Sequence, residues 1–215
     1  MRINADFSKR VVVKFDKNQW VPSPMAGVER KMLDRIGDEV ARATTIVRYA
    51  PGSSFSAHTH DGGEEYIVLE GVFQDEHGDF PVGSYVRNPP TSSHTPAAED
   101  GAIIFVKLHQ FDPADRTQVH EMIEQDKTDQ HLFSDKLEVV RVEHWKPGST
   151  TEIEAPGGIE LLVLNGSFSE SGDQLEKWDW LRLPPGSRLD AIAGGQGAQV
   201  WIKSGHLENI LEASS

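Results

Sequence analysis

His58 and His60 stand one residue apart in the stretch GSSFSAHTHDGGEEYIVLEG, residues 52–71, and two adjacent glutamates, Glu64 and Glu65, follow a Gly-containing turn. Residues i and i+2 of a strand share a face, so the two imidazoles can aim at one interior point. Asp61-Gly62-Gly63 offers a tight reversal that tolerates positive φ, and the returning strand brings a carboxylate back beside the imidazoles. Neighbouring strand residues face opposite sides, so one of Glu64 and Glu65 can fill that place, and the strand geometry leaves both open. A further ligand is expected from elsewhere in the sheet, and His94 in PVGSYVRNPPTSSHTP, residues 81–96, is the candidate. Three histidines and one carboxylate suit a divalent Zn, Fe, Mn, Ni or Cu ion. The chain has no cysteine, which excludes thiolate metal sites, disulfides and CxxC redox chemistry.

The elements that must position these side chains are short β-rich runs punctuated by Gly and Pro. They are VVVKF, ATTIVRY, EEYIVLEGVF, GSYVRN and AIIFVKL in the first half, and LEVVRVEHW, IELLVLNGSF, DWLRL and AQVWIK in the second. Such spacing predicts an all-β sandwich or barrel. One helix is expected over residues 114–125, ADRTQVHEMIEQ, with Asp112 and Pro113 as start signals. The two halves repeat. Pro51-Gly52 aligns with Pro147-Gly148, Gly71 with Gly166 and Pro89-Pro90 with Pro184-Pro185, in constant order. Two copies of one β domain are therefore expected, at residues 1–113 and 114–215. In the second copy the alignment sets Glu154 for His58, Pro156 for His60, Ile159 or Glu160 for Glu64 and Leu189 for His94, so only the first copy is expected to hold a metal.

Asp and Glu outnumber Lys and Arg by 34 to 21, a net charge of −13 without a basic block, which argues against direct binding of nucleic acid. No apolar run reaches the roughly 20 residues of a membrane span, and the N-terminus lacks a signal-peptide core. A cytoplasmic protein is expected.

The ordered residues Gly52, His58, His60, Glu64 and Gly71 resemble the first motif of the cupin family. Pro81, Gly83, Pro89 and His94 resemble its second motif more loosely. The resemblance selects Glu64 over Glu65 and implies two tandem cupin barrels of the jelly-roll, double-stranded β-helix type. It also implies one metal site formed by His58, His60, Glu64 and His94. Residues 44–96 are similar to the cupin domain of ChrR-type anti-sigma factors, which implies zinc first, with Fe, Mn or Ni as alternatives. It further implies a sensor or regulatory role with an ECF sigma factor or other regulatory protein as partner. With no cysteine in these residues, a counterpart of the Cys and His zinc module of those factors is not expected. The alternative is a non-haem metal-dependent dioxygenase, or another cupin lyase or isomerase, acting on a small-molecule ligand, and a third reading is a purely structural metal. A homodimer joined through sheet edges is expected from the resemblance, with VVVKF as an added or exchanged strand. Arg48 and Arg87 are expected in surface ion pairs, and Glu65 and Glu70 as charges on strand faces.

Overall fold

The structure, a computed structural model, describes residues 1–38, 40–125, 127–208 and 210. Among the described residues there are strands and turns and no helix, hence none long and apolar enough to cross a membrane. Contacts divide the chain into two compact units, the first formed by residues 1–5 and 17–123 and the second by residues 6–16 and 124–210.

In the first unit the strand Glu64–Asp75 runs antiparallel to Ala102–Leu108 on one side and to Ser84–Asn88 on the other. Ala102–Leu108 continues the sheet to Ala41–Tyr49 and Val28–Gly37. Alternation sorts the side chains. Tyr66 and Val68 face inward with Val47, Phe73, Ile104 and Val106 in one apolar cluster, while Glu65 faces the other way. Glu65 is the expected strand-face charge, but that face is covered, and the ion pair expected at the surface for Arg87 is buried there instead. Glu65 is buried, stands directly opposite Lys107 and Arg87 on its two neighbouring strands, and accepts a hydrogen bond from the Tyr85 hydroxyl at 2.7 Å. Arg87 is likewise buried, pairing with Asp115 at 3.1 Å and lying over the Phe111 ring. A buried charge must be paired, and this row satisfies its charges internally.

The second unit repeats the plan. Ile159–Glu170 pairs with Ser187–Ser204 and with Trp180–Leu183, and Glu160 again stands opposite a lysine, Lys203, and an arginine, Arg182. The interior is apolar: Ile159, Leu161, Val163, Phe168, Leu189 and Ala191 share one fully buried core. The two units are thus the two tandem β barrels that the resemblance implies.

Two further expectations change. The helix over residues 114–125 does not form. Asp112 instead closes a turn through the Ala114 amide, and Val119–Met122 becomes a strand against Ser84–Asn88. Ser84–Asn88 would otherwise leave a row of backbone groups without partners, and satisfying that edge outweighs the helical propensity of the segment. The VVVKF segment is an added strand, but within its own chain: Val11–Val13 pairs with Trp180–Leu183 of the second unit. Arg10 fixes it further through Glu170 at 2.6 Å and Asp173 at 2.7 Å.

Candidate metal centre

The three predicted histidines meet. His58 lies directly opposite His94 across a short antiparallel ladder, which continues through the backbone hydrogen bonds between His60 and residues 91 and 92. The ring centroids are 5.0 Å apart for His58 and His60, 4.9 Å for His58 and His94, and 4.7 Å for His60 and His94. One nitrogen from each ring lies within 4.8 Å of the others, so the three form a group that can hold a metal ion. His60 and His94 are buried and His58 is exposed.

Glu64 sits at the start of the returning strand, with Oε2 at 3.6 Å from both His60 Nδ1 and His94 Nε2. Glu65, on the outer face, takes no part. Asn88 donates to Glu64 Oε2 at 3.3 Å and in turn accepts from Gln118 at 3.3 Å. Asp75, a residue that the motif does not point to, accepts from His94 Nδ1 at 3.2 Å. That bond fixes the tautomer and leaves His94 Nε2 free to ligate, the arrangement by which a carboxylate orients a metal-binding histidine. His58 Nδ1 lies 3.3 Å from the Ser56 carbonyl in the same manner.

The donor set fits a cation. Both nitrogens of His60 and Nε2 of His94 are buried without a hydrogen-bond partner, an arrangement that costs about 1–3 kcal/mol per group unless something supplies the missing partner. Burial first, and then the neighbouring histidines, lower His60 to about 3, so its ring is neutral and ready to ligate. Burial, followed by the charge of Asp75, pushes Glu64 up to about 7 against the opposing hydrogen bond from Asn88. With both rings neutral and Glu64 only partly ionised near neutrality, the 3.6 Å approaches are not ion pairs, and they are too long for direct hydrogen bonds.

A cavity of about 390 Å³ opens onto these side chains. Its walls are mainly apolar, from Val28, Val47, Tyr49, Phe55, Phe73, Val106 and Leu108, with Arg30, Asp61 and His109 among the polar residues. Burial pushes the Tyr49 and Tyr66 hydroxyls well above their ordinary range and the nearby Glu64 carboxylate adds to this, so both stay protonated. His109, which lies outside the motif, is a cavity residue whose pKa burial lowers. Its ring packs so closely on Gly62 that a Cβ there would lie 2.2 Å from Nδ1.

The second unit shows what replaces the site. The ladder sets Ile153 opposite Leu189, as His58 is set opposite His94. The counterparts of His58 and His60 are therefore Ile153 and Ala155, rather than Glu154 and Pro156. The one-residue deletion falls earlier than the Pro-Gly alignment suggested. Ile153, Ala155, Ile159 and Leu189 all pack in the apolar core.

The family model of the ChrR cupin-like domain matches residues 8–112. The acetylacetone-cleaving enzyme of Acinetobacter johnsonii is 30% identical over 103 residues, covering 46% of this chain and 67% of that one. The chain belongs to the cupin family. Solved cupin structures share its architecture over nearly the whole length. Bacterial pirin YhhW from Escherichia coli, in complex with nickel(II), superposes with a TM-score of 0.71 at 12% identity, covering 91% of this chain and 98% of its own. A cupin 2 conserved barrel domain protein from Leptotrichia buccalis gives a TM-score of 0.60 at 15% identity, covering 94% and 98%. At such identities the likeness is one of fold, and it extends to both barrels of this cupin.

Proposed function

We propose that this cupin is a mononuclear metal enzyme that cleaves a carbon–carbon bond of a small dicarbonyl compound with O2, with His58, His60, Glu64 and His94 holding the ion. The observation that carries this reading is a donor set opening directly onto an apolar cavity of about 390 Å³. A purely structural ion has no use for such a cavity and is usually closed off by its ligands. The likeness to an acetylacetone-cleaving enzyme supplies the reaction class.

When bound, the ion supplies Lewis-acid polarisation and redox capacity. This favours iron over the zinc of the ChrR resemblance, because zinc has no redox chemistry. The chain does the rest. Asp75 and Asn88 hold His94 and Glu64 in place, and the apolar walls exclude water. His109, neutral through burial, is available to accept a proton from the acidic carbon between two carbonyl groups. The overall reaction balances without an external reductant: O2 is reduced, the dicarbonyl is oxidised, one C–C bond breaks, and each fragment gains one oxygen atom.

The test is anaerobic loading with Fe(II), followed by addition of O2 and acetylacetone or its homologues in an oxygen electrode. Uptake of one O2 per substrate is expected, with a loss of at least ~100-fold in His94→Ala. Absence of uptake by the iron, manganese and nickel forms alike overturns the reading.

The match to a ChrR cupin-like domain favours a second reading. In it the same site, loaded with zinc, senses an oxidant or small molecule, and a separate ECF sigma factor or other regulatory protein reads the change in the cytoplasm. Co-purification of such a factor with a zinc-loaded, catalytically inert protein selects it. In both readings the first unit, residues 1–5 and 17–123, carries the metal chemistry, rather than residues 1–113, and a homodimer is compatible with either.

A further inference from the structure

Among the described residues lining the metal cavity, Arg30 is the sole arginine or lysine. It stands on Val28–Gly37 directly opposite Val47, which stands opposite Ile104, which stands opposite Val68. Directly opposed residues share a face of the sheet, so Arg30 belongs to the inward row that ends in the apolar cluster. Its Nε is buried and, among the described residues, has no hydrogen-bond partner. The Glu64 carboxylate does not serve it, being turned to His60, His94 and Asn88. Arg48, on the opposite face of the neighbouring strand, makes the contrast: it pairs with Glu29 and lies over the Trp20 ring at 4.4 Å, the surface pair the sequence led us to expect.

A guanidinium does not lose its charge in a protein. An inward-facing one with a buried donor left open is costly unless an anion arrives with the ligand. We propose that Arg30 is an anion-recognition subsite of the metal cavity, and that the ligand is a small, largely apolar molecule bearing a carboxylate in addition to the oxygens it presents to the metal. The dicarbonyl part of this ligand rests on the proposed function above, whereas the carboxylate rests on Arg30 alone. The substrate class narrows accordingly, from neutral 1,3-diketones to 1,3-dicarbonyl acids of the acylpyruvate type. The planar fork of an arginine matches a carboxylate with two parallel hydrogen bonds, which a lysine cannot reproduce.

Calorimetry on the zinc-loaded protein, which cannot turn over by a redox route, separates binding from catalysis. The probes are acetylpyruvate and acetylacetone, which share the diketone and differ in the carboxylate. The wild-type protein is expected to bind acetylpyruvate at least about tenfold more tightly, the difference a charge-assisted hydrogen bond supplies. Arg30→Met should abolish that preference while leaving acetylacetone affinity within about twofold, and Arg30→Lys should restore only part of it. Equal zinc content and unchanged far-ultraviolet circular dichroism establish that each variant is folded. Equal affinity of the wild type for the two probes, failure to bind either, or a preference that survives Arg30→Met overturns the subsite. If the iron form turns over neither compound but the Arg30-dependent preference holds, the enzymatic reading falls and the subsite stands. Turnover without any dependence on Arg30 gives the reverse.

Discussion

Glu64 and His60 show how burial prepares a site for a cation. His60 is lowered to about 3 and Glu64 raised to about 7, both chiefly by desolvation, so in the metal-free protein near neutrality His60 is uncharged and Glu64 is only partly ionised. The consequence for stability has a definite sign. Between the ordinary value of 4.5 and about 7, the folded protein holds a proton on Glu64 that the unfolded chain has released, so this group's contribution to stability falls as pH rises through that window. His60 acts oppositely between about 3 and its ordinary 6.5, where the unfolded chain binds the extra proton and stability rises with pH. Replacing Glu64 isolates its part. In the presence of a chelator, Glu64→Gln should gain stability relative to wild type as pH goes from 5 to 8, by a few kcal/mol at most, measured from urea midpoints. A constant or shrinking difference would mean that Glu64 is ionised in the empty site. A metal ion reverses the preference by favouring the carboxylate.

The strand Glu64–Asp75 binds both ends of the site together. Glu64 at its start approaches His94 Nε2 at 3.6 Å, and Asp75 at its end holds His94 Nδ1 at 3.2 Å. One strand can reach the same ring from two sides because its pairing with Ala102–Leu108 shifts register between Ile103 and Ile104, and because Gly71 has φ +72. A Cβ at Gly71 would lie 2.1 Å from the Gly101 carbonyl oxygen, and Gly166 repeats this geometry at φ +70 and 2.1 Å from the Gly197 oxygen. Gly71→Ala and Gly166→Ala should therefore each cost more than about 2 kcal/mol, from the disfavoured backbone and the clash together. Only Gly71→Ala should weaken metal binding, by about tenfold or more, because it displaces both carboxylates that set His94. Chelator competition and urea denaturation on the two variants test this, and equal metal affinity would separate the bend from the site. The sequence made this element legible, since alternation and the glycine at its bend are local properties. The three histidines and Glu64 were legible for the same reason. Asp75 and Asn88, which hold His94 and Glu64, and His109 and Arg30, which line the cavity, were not, because each is brought there by pairing between distant strands, and nothing in its neighbouring residues records that pairing. The expected helix at residues 114–125 failed in the same way: the unsatisfied edge of Ser84–Asn88 is invisible in the local pattern.

At the scale of the whole molecule, duplication kept the frame and discarded the chemistry. Both copies retain the opposed Glu, Lys and Arg row, Glu65 with Lys107 and Arg87 and Glu160 with Lys203 and Arg182. The imidazole positions of the second are filled by Ile153, Ala155 and Leu189 in a closed apolar core. Val11–Val13 completes the second sheet beside Trp180–Leu183, so the copies are not separable by a single cut in the chain. Stability should nevertheless divide between them by cause. The first barrel encloses polar donors and a cavity, and an ion at a hundredfold excess over its dissociation constant adds about 2.7 kcal/mol to whatever unfolds with it. The second has no such term. Chelation should therefore speed amide hydrogen exchange in Glu64–Asp75 and Ala102–Leu108 while leaving Ile159–Glu170 and Ser187–Ser204 unchanged, as read by mass spectrometry of the loaded and stripped protein. Equal acceleration in both sets of strands would show that the barrels open as one cooperative body, and that the metal supports the second copy as much as the first.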